Sequence, residues 1–401
     1  MKRILIASYD MEVGGVERSL ISMLENFDYG AYAVDLMLYR HQGDFMSMIP
    51  SEVKLLGENA AYATFRMSVG EVVRERKYGI AISRIVSKLA ATYMGKRKGL
   101  AEPGYYQMQL MWRYALPVLP KHETEYEIAI SYLWPHDFVA EKVRAKKKIA
   151  WIHTDYSTVE TDVALDLKVW DKFDHIVAVS EACRTSFLAK YGPLERKVTV
   201  MENITSPEFV RSMARQPVED AISRDPRFKL VTVARLSNAK GIDQAVHAMK
   251  LLYDRGFAGK LAWYVVGYGG DEAGIRELIA QYGLEDSFIL LGKKTNPYPY
   301  IGACDLYVQP SRYEGKAVTV TEAKILGRPI LITNYTTAAS QVEDGVDGVI
   351  CELSVEGIAA GIERLYEDER LRNELTACLN RRDHGNSEEL TKLYRLMGDQ
   401  R

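Results

Sequence analysis

Two glutamates, Glu314 and Glu322, stand close together in the second half of the chain with seven residues between them. The apolar run at 305–309 predicts a strand, and the spacing of apolar residues after Gly315 predicts a helix. A strand, a short loop and a helix start present free backbone N–H groups at the carboxyl end of a sheet, where doubly wound sheets bind ligands and where an anion is favoured. Each carboxylate can accept hydrogen bonds from vicinal sugar hydroxyls, or it can simply complement the dipole of an exposed helix start.

Two cations lie at the end of another predicted strand. Arg235 and Lys240 flank a turn that follows the apolar run 228–234. Five residues apart, they can place two positive charges on a diphosphate. Taken singly, each is also compatible with an ordinary surface cation on a loop.

The first half of the chain offers a glycine pair and a histidine in comparable places. Gly14 and Gly15 follow a predicted strand at 3–8 and precede apolar residues at helical spacing. A glycine pair there lets the backbone approach a ligand, although such pairs are more often tight turns. His153 ends the predicted strand 148–152, which places its side chain at the ligand-binding edge of a parallel sheet.

Composition is that of an ordinary soluble globular protein. The 401 residues are 47% hydrophobic and 26% charged, with a net charge of −2, which argues against a general nucleic-acid binder. The four cysteines are far apart and are predicted to be reduced thiols. The first apolar run is too short for a signal peptide, so we expect a cytoplasmic protein.

Short apolar runs bounded by charges alternate with helical patterns along the whole chain, which predicts an α/β protein with parallel sheets. A proline-containing stretch without periodicity, 205–220, is predicted to be a linker. It separates a first domain, 1–204, from a second domain, 221–380. The remaining segment, 381–401, is predicted to be a C-terminal helix that returns to the first domain.

Several common sites are not indicated. Gly267 lies in a glycine-rich turn, VVGYGGDE, that lacks the third small residue of a dinucleotide fingerprint and follows the second strand of its domain. No phosphate-loop motif, no Asp-x-Asp pair and no His/Cys cluster occurs in the sequence. We therefore predict no nicotinamide cofactor and no metal.

Residues 71–100 are strongly basic and contain an apolar stripe at helical spacing, formed by Ile82, Ile85, Val86, Leu89 and Tyr93. Two interpretations remain open. The stripe can pack on the core and leave a solvated basic face. Alternatively, the helix can lie on an anionic membrane surface.

Together these segments resemble retaining, nucleotide-sugar-dependent glycosyltransferases of family 4, also called glycosyl transferases group 1. The resemblance covers most of the chain and is most specific in the second domain. Its pieces are the Gly14-Gly15 pair, the strand end IHTD, and the segments ARLSNAKG, VVGYGGDE, ILLGKKTNPYPYI and PSRYEGKAVTVTEAKILGRPILITN. The resemblance implies the GT-B fold, in which two Rossmann-like domains face each other across a cleft.

The resemblance also implies roles for the individual residues. Glu322 would bind the ribose of the nucleotide, Glu314 the hydroxyls of the donor sugar, and Arg235 with Lys240 the diphosphate. His153 would contact the hydroxyls of the donor sugar and, with Arg235, Lys240 and Glu314, would form the catalytic residues. Further donor contacts would come from Gly14, Gly15, Gly267, Lys293, Lys294, Gly315, Lys316, Ala317 and Val318. Lys316-Ala317 departs from the aromatic or leucine followed by glycine that many members carry, which leaves the donor sugar open.

The implied function is the transfer of a hexose, most simply from a UDP-sugar, to a polysaccharide or lipid-linked oligosaccharide. Transfer would keep the anomeric configuration and need no metal, and it would serve capsule or lipopolysaccharide synthesis in the cytoplasm or at the inner face of its membrane. Two alternatives remain open. One is a catalytically silent sugar-binding or partner subunit, and the other is a UDP-sugar 2-epimerase with the same architecture.

Overall fold

The computed structural model describes residues 1–12, 14–98, 104–218, 221–314 and 316–399. The chain forms two compact units. The first comprises Met1–Ile204 together with Ser387–Arg401, and the second comprises Thr205–Asn386. Each unit has its own parallel sheet with a buried apolar core, as the alternating pattern of the sequence predicts.

The first unit is built on a parallel sheet that has seven strands within the described residues, in the order β3-β2-β1-β4-β5-β6-β7. β1 lies inside the sheet, where Ile4 pairs with Val34 on one side and Ile128 on the other. Continuous apolar runs suit such strands because both of their faces are covered. The strands are β1 (Lys2–Ser8), β2 (Tyr32–Leu38), β3 (Lys54–Leu55), β4 (Glu125–Ser131), β5 (Arg144–Ile152), β6 (His175–Ala178) and β7 (Val198–Val200).

Helices connect these strands and cover both faces of the sheet. They are α1 (Gly15–Glu25), α2 (Ala60–Ala63), α3 (Val69–Arg74), α4 (Tyr78–Lys98), α5 (Gly104–Ala115), α6 (Asp137–Lys142), α7 (Val163–Trp170) and α8 (Glu181–Tyr191). Several begin with side-chain caps, for example Ser180, whose hydroxyl accepts a hydrogen bond from the Cys183 N–H group. None of the helices in the described ranges is long and apolar enough to cross a membrane.

The second unit contains a parallel sheet whose described strands run in the order β10-β9-β8-β11-β12-β13. The strands are β8 (Phe228–Val233), β9 (Leu261–Val266), β10 (Phe288–Gly292), β11 (Leu306–Gln309), β12 (Ile330–Thr333) and β13 (Val349–Cys351). The helices are α9 (Pro207–Ala214), α10 (Ile242–Leu252), α11 (Glu272–Tyr282), α12 (Tyr298–Ala303), α13 (Val318–Ile325), α14 (Val355–Glu367) and α15 (Glu369–Arg381).

The strands predicted in both halves are confirmed, and the boundaries agree within a few residues. The linker prediction differs from the structure. Part of 205–220 forms α9, which packs within the second unit and buries Phe209, Val210 and Met213. Pro207 does not break this helix because it occupies the first turn, and the preceding Ser206 caps it.

The last helix, α16 (Glu389–Leu396), packs in the first unit rather than the second. The ring of Tyr394 stacks on Tyr32 at 5.5 Å, and its hydroxyl accepts a hydrogen bond from the Asp28 N–H group at 2.9 Å. Leu393 is fully buried. Helix α16 therefore packs into the first unit through Leu393 and Tyr394.

We expect Leu393→Ala to lower the free energy of unfolding of the first unit by about 3 kcal/mol, because the lost side chain leaves a cavity in a packed core. Urea unfolding followed by tryptophan fluorescence measures the change. Leu353→Ala is the matched control, since Leu353 lies in the second unit and is 38% exposed. Equal and small effects of both substitutions would contradict the packing of α16.

Candidate functional site

The order of strands in the second unit creates a ligand-binding edge between β8 and β11. The chain moves from β8 outward to β9 and β10, and then returns to β11 on the other side of β8. Loops that leave two such strands diverge, and in open parallel sheets this switch point is where ligands bind. Arg235 and Lys240 follow β8, and Glu314 follows β11. The topology therefore brings the predicted cations and one predicted acid to the same edge.

Lys240 and Glu314 form an ion pair across this switch point. The Nζ atom of Lys240 lies 2.6 Å from Oε2 of Glu314. Only 5% of the Glu314 side chain is exposed, against 28% of the Lys240 side chain. A buried carboxylate needs such a partner, because its charge would otherwise be strongly disfavoured in the interior.

The two loops are held together by backbone contacts and by a second ion pair. The Arg312 N–H group donates to the Ala239 carbonyl at 2.9 Å. The guanidinium of Arg312 binds Asp243 in a bidentate manner, at 2.7 and 2.5 Å. Gly241 has φ +64°, and a Cβ atom there would lie 2.0 Å from the carbonyl oxygen of Pro310. Glycine is thus required for the loops to approach this closely.

Two buried polar residues that the sequence analysis did not single out hold the other oxygen of Glu314. Its Oε1 atom accepts hydrogen bonds from the Ser311 hydroxyl at 2.7 Å and from the Gln309 amide at 3.1 Å. The Gln309 carbonyl oxygen in turn accepts from the Tyr307 hydroxyl at 2.7 Å, which fixes the orientation of the amide. The available sequence signal was a glutamine at the end of an otherwise apolar strand.

Glu322 lies on α13 and is 1% exposed. The hydroxyl of Tyr298, on α12, donates to its Oε1 atom at 3.0 Å. Burial raises the pKa of the Tyr307 phenol, and the charges of Glu322 and Glu314 raise it further. The predicted pair therefore faces a common region, although each carboxylate has its own hydrogen-bond donors.

The start of α13 has no side-chain cap among the described residues. Its N-cap residue, Ala317, has no side chain that can bond the first-turn N–H groups, and the Val320 N–H group donates to the Ala317 carbonyl at 3.0 Å. The dipole of a helix start favours an anion at this position. Lys316 is exposed just before it, and Val318 opens the helix. Gly315, the remaining predicted residue of this loop, lies outside the described residues.

The glycine-rich turn after β9 packs against the loop after β8. A Cβ atom on Gly267 would lie 1.8 Å from the Ala234 carbonyl oxygen. The Gly267 N–H group donates to the Gly292 carbonyl at 2.9 Å, which ties this turn to the end of β10. Lys293 and Lys294 follow β10, and their ammonium groups lie 5.6 Å from the ring centroids of Tyr268 and Tyr300, respectively.

The predicted residues of the first unit lie at the carboxyl edge of its own sheet. Gly14 is the N-cap of α1 and Gly15 opens the helix. A Cβ atom on Gly14 would lie 2.2 Å from the carboxylate of Glu17, whereas none of the described atoms lies within 4 Å of a Cβ placed on Gly15.

His153 follows β5, and both of its ring nitrogens are buried without a hydrogen bond of ordinary geometry. Its ring centroid lies 4.7 Å from that of Tyr132. Burial lowers the pKa of His153 to about 3, opposed in part by the Tyr132 backbone. The imidazole is therefore neutral at physiological pH, so it can offer one donor and one acceptor but no charge.

Comparison with known proteins identifies a family model for the second unit and the fold of the chain. Residues 218–378 match the family model described as glycosyl transferases group 1. The structure of Anabaena HepE in complex with UDP and glucose superposes with a TM-score of 0.61 at 16% identity, covering 99% of this chain and all of that one. The chain has the GT-B fold.

Curated relatives of this GT-B chain match over a shorter length. The amylovoran biosynthesis glycosyltransferase AmsK of Erwinia amylovora is 29% identical over 203 residues, 48% of each chain. The capsular polysaccharide biosynthesis glycosyltransferase CapM of Staphylococcus aureus is 27% identical over 206 residues, 49% of this chain and 53% of CapM. This chain thus spans about half the length of the curated relatives that it matches.

No group of three or more His, Cys, Asp or Glu side chains that could hold a metal ion occurs in the part of the chain that the structure describes. The second unit brings Lys240, Glu314, Glu322 and the start of α13 to one region of its sheet edge. His153, Gly14 and Gly15 belong to the edge of the other sheet. Gln309, Ser311 and Tyr298 are the contributors that the sequence analysis missed.

We expect Gly241→Ala to lower the free energy of unfolding by about 3 kcal/mol, because it adds both left-handed backbone strain and a clash with Pro310. Gly283→Ala is the matched control: its φ is +63°, but a Cβ there meets none of the described atoms within 4 Å. The control should cost about 1 kcal/mol. Equal costs in chemical denaturation would show that the two loops do not approach as described.

We expect His153 to remain neutral down to about pH 5, because its pKa is lowered to about 3 by burial. Histidine-labelled protein followed by NMR should show a flat C2–H shift for His153 between about pH 8 and 5, whereas the urea-unfolded chain titrates near about 6.5. His153→Asn identifies the resonance. A midpoint near 6.5 in the folded protein would contradict the buried environment.

Proposed function

We propose that this GT-B chain is a retaining glycosyltransferase. It moves a hexose from a nucleotide sugar, most simply a UDP-sugar, to a polysaccharide or lipid-linked oligosaccharide. The observation that carries the proposal is the Lys240–Glu314 pair at the β8–β11 switch point, beside the start of α13. The match of residues 218–378 to glycosyl transferases group 1 supports it.

In this proposal the two glutamates bind hydroxyls rather than move protons. Glu322 accepts from the ribose hydroxyls of the nucleotide, and Glu314 accepts from hydroxyls of the donor sugar. The donors that already surround Glu314, namely Ser311, Gln309 and Lys240, hold its carboxylate in one orientation. A rotationally fixed carboxylate binds hydroxyls at a lower entropic cost than a mobile one.

The diphosphate of the donor is held by positive charge. Lys240 is the more exposed partner of its ion pair, so it can contact a phosphate while it remains paired with Glu314. Arg235 is exposed at the end of β8. The N–H groups of Ala317 and Val318 add a partial positive charge at the start of α13. Together these groups stabilise the negative charge that develops on the leaving diphosphate.

Cleavage of the glycosyl–phosphate bond leaves positive charge on the sugar ring and negative charge on the diphosphate. The acceptor hydroxyl attacks from the face that the diphosphate leaves, and a phosphate oxygen takes its proton. The anomeric configuration is then retained without a protein nucleophile. Arg235 and Lys240 supply the positive charge that a metal ion would otherwise place on the diphosphate, so we propose that the reaction is independent of a metal.

The base of the nucleotide is assigned to the loop after β10, near Lys293 and Lys294. The choice of uridine is supported by the fold shared with HepE, whose structure contains UDP and glucose. His153, Gly14 and Gly15 in the first unit are proposed to contact the donor sugar and phosphates. The AmsK and CapM relatives support a role in cell-surface polysaccharide synthesis, which we place in the cytoplasm or at the inner face of its membrane.

We expect UDP to bind the wild-type chain and Glu322→Gln to weaken that binding by about tenfold to a hundredfold, because charged hydrogen bonds contribute about 1.5–3 kcal/mol. Calorimetric titration with UDP, GDP and ADP measures the dissociation constant of each nucleotide. Glu356→Gln is the matched control, since Glu356 is an exposed glutamate on α14. If none of the nucleotides or their sugars binds, the chain is a silent GT-B subunit and the proposal fails.

We expect the product to keep the anomeric configuration of the donor and the rate to survive EDTA, because cationic side chains stabilise the leaving group in place of a metal. NMR of the first-formed product reports the anomer. Rates with and without EDTA report the metal requirement. An inverted product would contradict the retaining mechanism. Activity that only a divalent cation restores would contradict the independence of a metal. Conversion of a UDP-sugar to its 2-epimer without an acceptor would favour the epimerase.

A further inference from the structure

Helix α4 has two faces of opposite burial. One face is packed: Ile80 and Ala81 belong to the core of the first unit, and Ala91 packs with Tyr106 and Leu110 on α5. This buried face consists mainly of small residues and hydroxyls. The apolar stripe found in the sequence does not lie on it. The interpretation in which the stripe packs on the core is therefore wrong.

The stripe lies on the solvent side of α4. Its members are all exposed, with values from 46% for Val86 to 67% for Leu89, and they are Ile82, Ile85, Val86, Leu89 and Tyr93. A Cβ placed on Gly79 would lie 3.3 Å from Val118, so Val118 lies beside the first turn of the helix and extends the same surface. Tyr78 and Val118 are themselves more than half exposed. Contiguous apolar surface of this kind is unusual on a soluble chain and indicates an interaction site.

The charge around the stripe has one sign. The sequence of α4 contains five basic residues and no aspartate or glutamate. A rotation of about 100° per residue places Lys88 on one border of the stripe and Arg97 on the other. Both are exposed, and the Arg97 guanidinium lies 5.9 Å from the ring centroid of Tyr93. Arg84 is not part of this surface, because it donates inward to the carbonyls of Thr64 and Met67.

We propose that this face of α4, with Val118, docks the chain on an anionic lipid surface. The helix lies parallel to the bilayer, with Ile82, Ile85 and Leu89 inserted among the acyl chains near the headgroups. Lys88 and Arg97 contact the lipid phosphates. Apolar burial supplies adhesion, and basic borders select negatively charged lipids.

A second copy of the chain fits this surface less well. Both ends of α4 carry net positive charge, with Arg74, Glu75, Arg76 and Lys77 before it and Arg97 near its end. A two-fold contact through the stripe would pair the start of one helix with the end of the other. Cations would then face cations in either copy, which disfavours the contact. An anionic bilayer meets both ends with opposite charge.

Flotation of the full chain with vesicles tests the proposal. Phosphatidylcholine vesicles with and without phosphatidylglycerol are compared at low and high salt. We expect binding only with phosphatidylglycerol. Leu89→Asp should reduce it at least tenfold, whereas Leu353→Asp, in an exposed position of the second unit, should leave it unchanged. Lys88→Glu should reduce it more than fivefold, since each cation near such a surface contributes about a fivefold factor, and Lys260→Glu should not.

Three outcomes of this experiment would overturn the proposal. These outcomes are absence of flotation, flotation without phosphatidylglycerol, and flotation that Leu89→Asp leaves intact. A dimer that Leu89→Asp dissociates, without lipid binding, would assign the surface to a second copy. Unchanged thermal unfolding of Leu89→Asp controls for folding. The result is independent of the proposed transfer reaction, because a chain that floats but binds no nucleotide would retain the lipid surface and lose the reaction.

Discussion

The burial of the Glu314 carboxylate is the constraint on which the arrangement of the loops at this sheet edge depends. It is almost completely buried, and a buried charge is stable only with partners that replace its water. Lys240 supplies a countercharge from the β8 loop, while Ser311 and Gln309 supply hydrogen bonds from its own loop. The approach of the two loops is possible only because Gly241 lies beneath Pro310. The site is thus a charge-compensated edge of a parallel sheet.

The unequal exposure of the pair has a chemical consequence. Lys240 is accessible to an incoming anion, whereas Glu314 has hydrogen bonds that do not depend on Lys240. A diphosphate can therefore share the lysine without leaving the glutamate unsatisfied. Groups fixed before the ligand arrives need little reorganisation when charge develops in the reaction. The same arrangement explains why the acid pair alone was an ambiguous signal in the sequence.

The strands, and the placement of Lys240 and Glu314 at one edge of a sheet, could be predicted because parallel strands appear as short apolar runs and the residues that follow them meet at their carboxyl ends. The hydrogen-bond partners of the two glutamates could not be predicted. Nothing local indicates that Gln309 orients Glu314, or that Tyr298 on another helix bonds Glu322. Two prolines made α9 look like a linker, because a proline at a capped helix start resembles a break. The periodicity of α4 defined a stripe but not which face the rest of the unit covers.

The features described in the two units depend on different physical interactions. In the proposed function, the second unit fixes charge at set positions to bind a diphosphate, and this is the region, 218–378, that matches a family model. The first unit contributes a neutral His153 with buried ring nitrogens and an exposed apolar helix face. Neither feature requires a fixed pattern of charge, since a neutral imidazole needs only burial and a lipid surface accepts any apolar stripe with basic borders. A family-model match that lies in the second unit is consistent with this division of chemistry.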